Sequence, residues 1–148
     1  MLIKLDLADA LQAGELLNVQ RHAYRQEAEL IGYANLPPLR ETLSDLMDCG
    51  ETLIGWREDG ELLGAVGLLT QEETLEICRL VVAPHAQRRG IARALLTAVI
   101  SQAGQQAVRV STAAANTPAI TLYENHGFRL VSETRLPDGL MLIAMQRG

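Results

Sequence analysis

Three runs of strand character, at 52–58, 61–69 and 74–82, follow one another with links of only two and four residues. No crossover helix fits into so short a link, so the three strands must form an antiparallel meander. Asp59-Gly60 supplies the first tight turn and Glu72-Glu73 the second. After residue 82 the order changes. An amphipathic helix from Ile91 to about Gln102 (Ile91, Leu95, Leu96, Val99) leads to a strand at 107–111, a helix at 118–125, a strand at 128–133 and, past Pro137-Asp-Gly, a last strand at 140–145. Strand, helix, strand in that order implies at least one parallel crossover, so the sheet is mixed.

Ahead of the meander the chain reads as a short strand at 3–5 and a helix capped by Asp6 or Asp9 that runs to about Ile31. Gly14 and Gly32 are its expected irregularities, and a second helical run follows Pro37-Pro38 at 39–47. The expected fold class is α/β (α+β), a central sheet of about six to seven strands with helices on both faces. No linker or repeat divides the chain, so residues 1–148 read as one domain.

Composition narrows the function. Only 3% of residues are aromatic, so the core is aliphatic and base-stacking platforms for nucleic acid are disfavoured. A net charge of −5 also works against binding a phosphate backbone. The charge is unevenly spread: residues 1–76 hold 15 of the 18 acids and 5 of the 13 bases, a net −10, while the remainder carries +5. The basic half is expected to meet an anion and the acidic half a cation. Cys49 and Cys78 lack metal-ligand spacing and read as reduced thiols of a cytoplasmic protein. Neither a signal peptide, since Asp6 interrupts the apolar start, nor a membrane-length apolar run is expected.

The segment richest in chemistry is Leu80-Val-Val-Ala-Pro-His-Ala-Gln-Arg-Arg-Gly-Ile-Ala, where a strand enters an Arg-rich loop and a helix starts just past Gly90. The first N–H groups of such a helix have no backbone partner and favour an anion, Gly90 lets a ligand approach, and Arg88, Arg89 and Arg93 add charge. This segment reads as a phosphate site, with a solvated basic helix start as the alternative, and it lacks the Lys-Ser/Thr of a P-loop and the G-x-G-x-x-G of a dinucleotide fold.

Gln87-Arg-Arg-Gly90-Ile-Ala92, followed by Asn116-Thr-Pro-Ala119 and then Tyr123-Glu-Asn-His-Gly127-Phe128, resembles the GNAT superfamily of acyl-CoA-dependent N-acetyltransferases. The match is firm over 74–134. The resemblance implies acetyl-CoA as cofactor, with Gln87, Arg88, Arg89, Gly90, Ile91 and Ala92 around its pyrophosphate and Leu80, Val81 and Val82 pairing with the pantetheine arm as an added strand would. Asn116 would hold the arm or cap the helix that follows. Tyr123 stands where the family places the general acid that protonates the leaving thiolate, with a plain core role as the alternative. Glu76, eleven residues before Gln87, stands where some members carry a strand glutamate that acts as base; its alternatives are an ion pair with Arg79 or a water relay. Cys78, two residues on, should face the same side.

Tyr24, Glu27, Glu29 and Tyr33 lie where the family builds its variable acceptor wall. His22, His85 and His126 show no spacing for a metal or a triad. The implied function is transfer of acetyl to a primary amine of a small molecule or peptide by direct attack in a ternary complex. A non-catalytic acyl-CoA-binding module is the alternative, and homodimers are common in the family.

Overall fold

The computed structural model describes all 148 residues. Strand β1 (Leu2–Leu5) leads to helix α1 (Ala10–Ile31). The Asp9 side chain caps α1 by accepting from the Leu11 N–H at 3.0 Å, and Gly32 ends it in the left-handed conformation at φ 68°. Gly14 does not interrupt this helix, because Ala13, Leu16, Val19 and Gln20 form a buried stripe on either side of it.

The second helical run is shorter than its periodicity predicts. Pro37–Arg40 forms a separate 3-10 turn, and Thr42 then starts α2 (Leu43–Met47) with a reciprocal cap. Thr42 Oγ1 accepts from the Asp45 N–H at 3.1 Å, while Asp45 Oδ2 accepts from the Thr42 N–H at 2.8 Å.

The meander is β2 (Thr52–Glu58), β3 (Glu61–Gln71) and β4 (Thr74–Val82). Asp59 and Gly60 both have positive φ, 49° and 79°, the geometry of the favoured two-residue hairpin. Then follow α3 (Ile91–Ala103), β5 (Ala107–Ala113), α4 (Thr117–Glu124), β6 (Arg129–Arg135) and β7 (Met141–Arg147). All seven strands join one sheet in the order β1-β2-β3-β4-β5-β7-β6. The pair β4–β5 is parallel and every other pair is antiparallel.

Two glycines of β3 separate the faces. A Cβ on Gly64 would meet Ile91 and Leu95 of α3 at 3.1 and 3.4 Å, whereas one on Gly67, three residues on, would collide with the Glu51 carboxylate and meet Arg79. Residues an odd number apart point to opposite faces of a strand. Helix α3 therefore covers one face with Leu95, Leu96 and Val99, and α1 covers the other, where Gln20 reaches Arg79. No helix is long and apolar enough to cross a membrane.

Candidate active site

The parallel pairing of β4 with β5 runs only from Thr74↔Ala107 to Ile77↔Val110. Beyond it β4 continues to Val82 and β5 to Ala113, so the edge of β4 that holds Leu80, Val81 and Val82 has no partner on that side. A bulge accompanies the divergence. Leu68 pairs with Ile77 and Gly67 with Arg79, leaving Cys78 as the extra residue that bends the strand. The bulge also corrects the simple alternation expected for β4: Arg79, not Cys78, continues the face of Glu76.

The loop leaving β4 is held by Gln87, whose Nε2 donates to Val82 O at 3.3 Å and to Gln26 Oε1 of α1 at 2.6 Å. Arg88 and Gly90 turn the backbone through positive φ, 66° and 81°. Helix α3 has no side-chain cap. The backbone N–H groups from Arg88 in the loop to Arg93 in the first turn of α3 donate to nothing within the chain. Such a run of free donors at the positive end of a helix dipole is built for an anion. Arg88, Arg89 and Arg93 are exposed around it, and Arg89 makes only a long surface contact, 3.5 Å, to Glu58.

On the α1 face of β4, Arg79 is only 8% exposed. Its Nε and Nη2 donate to Glu51 at 2.8 and 2.7 Å, its Nη1 and Nη2 to Glu41 at 2.9 and 3.2 Å, and its Nη1 to Gln20 Oε1 at 2.7 Å. All five guanidinium N–H donors are thus used. Glu76 is consequently not paired with Arg79. The cation nearest it is Arg109, its neighbour across the parallel pair, and burial raises its carboxyl pKa while Arg109 lowers it. Glu41 and Glu51 lie in the acidic half and Arg79 in the basic half, so part of the charge asymmetry is neutralised inside the chain.

Tyr123 of α4 is 5% exposed, its ring tilted against Phe128 at 5.5 Å between centroids. Burial, with the Glu27 charge behind it, pushes its phenol above the ordinary range. Its hydroxyl is not taken up by another side chain, so it stays protonated and available to donate. Tyr24 of α1 is half-buried and lies within the electrostatic reach of Tyr123, Glu27 and Arg79; burial raises its phenol most. One turn further along α1, Glu27 Oε1 accepts from Asn116 Nδ2 at 2.5 Å. Burial raises the Glu27 carboxyl and the Asn116 bond opposes the rise. Asn116 Oδ1 accepts from the Ala119 N–H at 3.2 Å, so Asn116 does cap α4 while its amide nitrogen faces Glu27.

The other expected residues lie apart from this cluster. Glu29 is on the exposed face of α1. Tyr33, just past the helix, donates to Asp138 Oδ2 at 2.5 Å and so ties the end of α1 to the β6–β7 turn. Cys78 is exposed in its bulge, and burial of its sulfur with the Glu51 and Glu76 charges pushes the thiol up to about 11, too high for a ready nucleophile. His22 and His126 bond to carbonyls of their own helical turns, and His85 to Glu61. Sequence reasoning missed Gln20, Glu41, Glu51 and Asp138 as site-bracing residues. A lone Arg in the apolar run 75–82 was the one signal that could have pointed to Arg79.

These features define a class: a mixed sheet that opens between two parallel strands, with a helix start of free N–H groups beside the opening. The sequence matches the Acetyltransferase (GNAT) family across residues 15–128, and the chain belongs to that family. It is 39% identical over 135 residues to the UPF0157 protein YqkA of Bacillus subtilis (strain 168), covering 90% of this chain and 39% of that protein. It is 37% identical over 91 residues to the peptidyl-lysine N-acetyltransferase YiaC of Escherichia coli (strain K12), covering 58% of this chain and 59% of that protein. The chain therefore spans less than two thirds of the length of either relative. Among solved structures, the ribosomal-protein-S18-alanine N-acetyltransferase from Escherichia coli superposes with a TM-score of 0.80 at 18% identity, over 99% of this chain and 92% of that one. The yncA structure from Salmonella typhimurium with its cofactor acetyl-CoA superposes with a TM-score of 0.75 at 17% identity, over 99% and 91%. At such identities these likenesses establish the fold.

Proposed function

We propose that the chain is an acetyl-CoA-dependent N-acetyltransferase that modifies a primary amine of a small molecule or a peptide by direct attack in a ternary complex. The observation that carries this reading is the run of free N–H groups from Arg88 to Arg93 beside the unpaired edge of β4. The donors fit the cofactor chemically: a pyrophosphate needs clustered N–H groups and positive charge, and an amide-bearing arm needs an open strand edge. Acetyl-CoA, when bound, supplies a thioester carbonyl open to an amine and a sulfur able to leave.

Gln87 to Ala92 hold the phosphates, and Leu80, Val81 and Val82 align the arm. Tyr123, kept protonated by burial, gives a proton to the leaving sulfur. The attacking amine must first lose a proton, and the cleft offers two carboxyl groups with raised pKa, Glu76 on β4 and Glu27 on α1. Tyr24 and Glu27 form the acceptor wall nearest Tyr123, and Tyr33 lies farther out, tied to the β6–β7 turn.

The reading is tested by thiol release from acetyl-CoA across a panel of small amines, amino acids and lysine peptides. Turnover on at least one is expected; tight acetyl-CoA binding with none would favour a non-catalytic module. Gly90→Glu checks the phosphate cradle. It puts a side chain at φ 81° and a carboxylate among the free N–H groups. Acetyl-CoA affinity by calorimetry should fall about tenfold or more, with the circular dichroism spectrum retained. Unchanged affinity would refute the cradle.

A further inference from the structure

We propose that Glu27, aimed by Asn116, and not the strand glutamate Glu76, takes the proton from the acceptor amine; this rests on the acetyltransferase reading above.

The N-cap of α4 meets α1 where Glu27 accepts a hydrogen bond from Asn116 at 2.5 Å, and Tyr24 lies within the electrostatic reach of Tyr123. Asn116 stands three residues beyond the end of β5, where that strand has already left β4. A carboxyl group held there lies at the mouth of the cleft, on the side of the general acid. Its second oxygen takes no hydrogen bond from the chain and is free for an ammonium.

Glu76 is placed differently. It sits within the paired part of the sheet, one residue before the strands diverge, with Arg109 opposite it. The Arg109 guanidinium there repels a cationic acceptor and offsets part of the rise that burial gives the Glu76 carboxyl. The groups that face Glu27 include no free cation. From α1 there is Tyr24, from α4 Tyr123 and Asn116, and the nearest arginine on β4, Arg79, is spent on Glu41, Glu51 and Gln20. Burial without a cation leaves Glu27 with a raised pKa, so it binds an ammonium when ionised and holds the proton when it takes it.

In the step proposed, an N–H bond of the ammonium breaks, its electron pair stays on nitrogen, and an O–H bond forms on Glu27. The carboxyl later returns that proton to solvent. Glu27 must be ionised to act, so kcat/KM rises with pH through its pKa and the acid limb belongs to this residue.

The test is the pH dependence of kcat/KM for wild type, Glu27→Gln, Glu27→Asp and Glu76→Gln with a lysine peptide and with spermidine. Glu27→Gln keeps an oxygen to accept from Asn116 and removes only the basicity, so a merely structural role predicts little change. The expected result is a loss of about 100-fold with the acid limb abolished and acetyl-CoA affinity retained. Glu27→Asp, which draws the carboxyl back by one methylene, should lose rate and keep the limb, and Glu76→Gln should keep the limb whatever it does to the rate. An acid limb that survives Glu27→Gln, or one that vanishes in Glu76→Gln, overturns the proposal. A wild type that binds acetyl-CoA but acetylates no amine overturns the acetyltransferase reading instead.

Discussion

Tyr123→Phe should lower kcat by about 100-fold or more while leaving acetyl-CoA affinity and thermal stability close to wild type. The substitution keeps the ring that packs against Phe128 at 5.5 Å and removes only the hydroxyl. That hydroxyl bonds to no other side chain, so its loss orphans nothing in the core. A core role for Tyr123 would therefore show almost no effect, and a general-acid role a large one confined to turnover. The pH dependence carries a sign. Burial raises the phenol pKa, so the proton is retained as pH rises, and no loss of rate from this group is expected between pH 7 and 9. A kcat within about threefold of wild type at saturating acetyl-CoA would remove Tyr123 from the chemistry.

Arg79→Met should cost about 3–5 kcal/mol of folding stability, the largest structural effect of any single change considered for this chain. Methionine fills much of the same volume but leaves the Glu51 side chain, 6% exposed, and the Glu41 side chain, 23% exposed, facing each other without a cation. It also strips the partner from Gln20 Oε1 in the fully buried stripe of α1. Because Arg79 joins β4 to α1, to Glu41 between the 3-10 turn and α2, and to Glu51 just before β2, the loss should spread to the α1 face of the cleft. Urea denaturation measures the cost. The triple variant that also replaces Glu41 and Glu51 with Gln should recover part of it, since the uncompensated charges are then gone. If Arg79→Met alone changes stability by less than about 1 kcal/mol, the network is not the brace its geometry describes.

The charge asymmetry of the sequence takes its meaning from these two sites. The positive half supplies the arginines around the free N–H groups of α3. The negative half divides: Glu41 and Glu51 find their cation in Arg79, while Glu27 and Glu76 stay outside that network with carboxyl pKa values raised by burial.

What the sequence determined by itself are the features set by residues close together in the chain. The Asp59-Gly60 hairpin, the amphipathic α3, the helix start after Gly90 and the Asn116 cap each depend on neighbours within about one or two turns, so their cause is written locally. The α2 boundary was missed although its cause is also local, because helical periodicity at 39–47 masked the fresh start at Thr42. Only the tertiary structure decided the rest. The Arg79 bonds span 28, 38 and 59 residues, the Glu27–Asn116 bond 89 and the Tyr33–Asp138 bond 105. Such partners are chosen by sheet register, and one bulge at Cys78 sets which residues of β4 share a face with Glu76. No periodicity in the chain encodes that extra residue, so the contents of the cleft follow from pairing between strands, not from the order of residues along them.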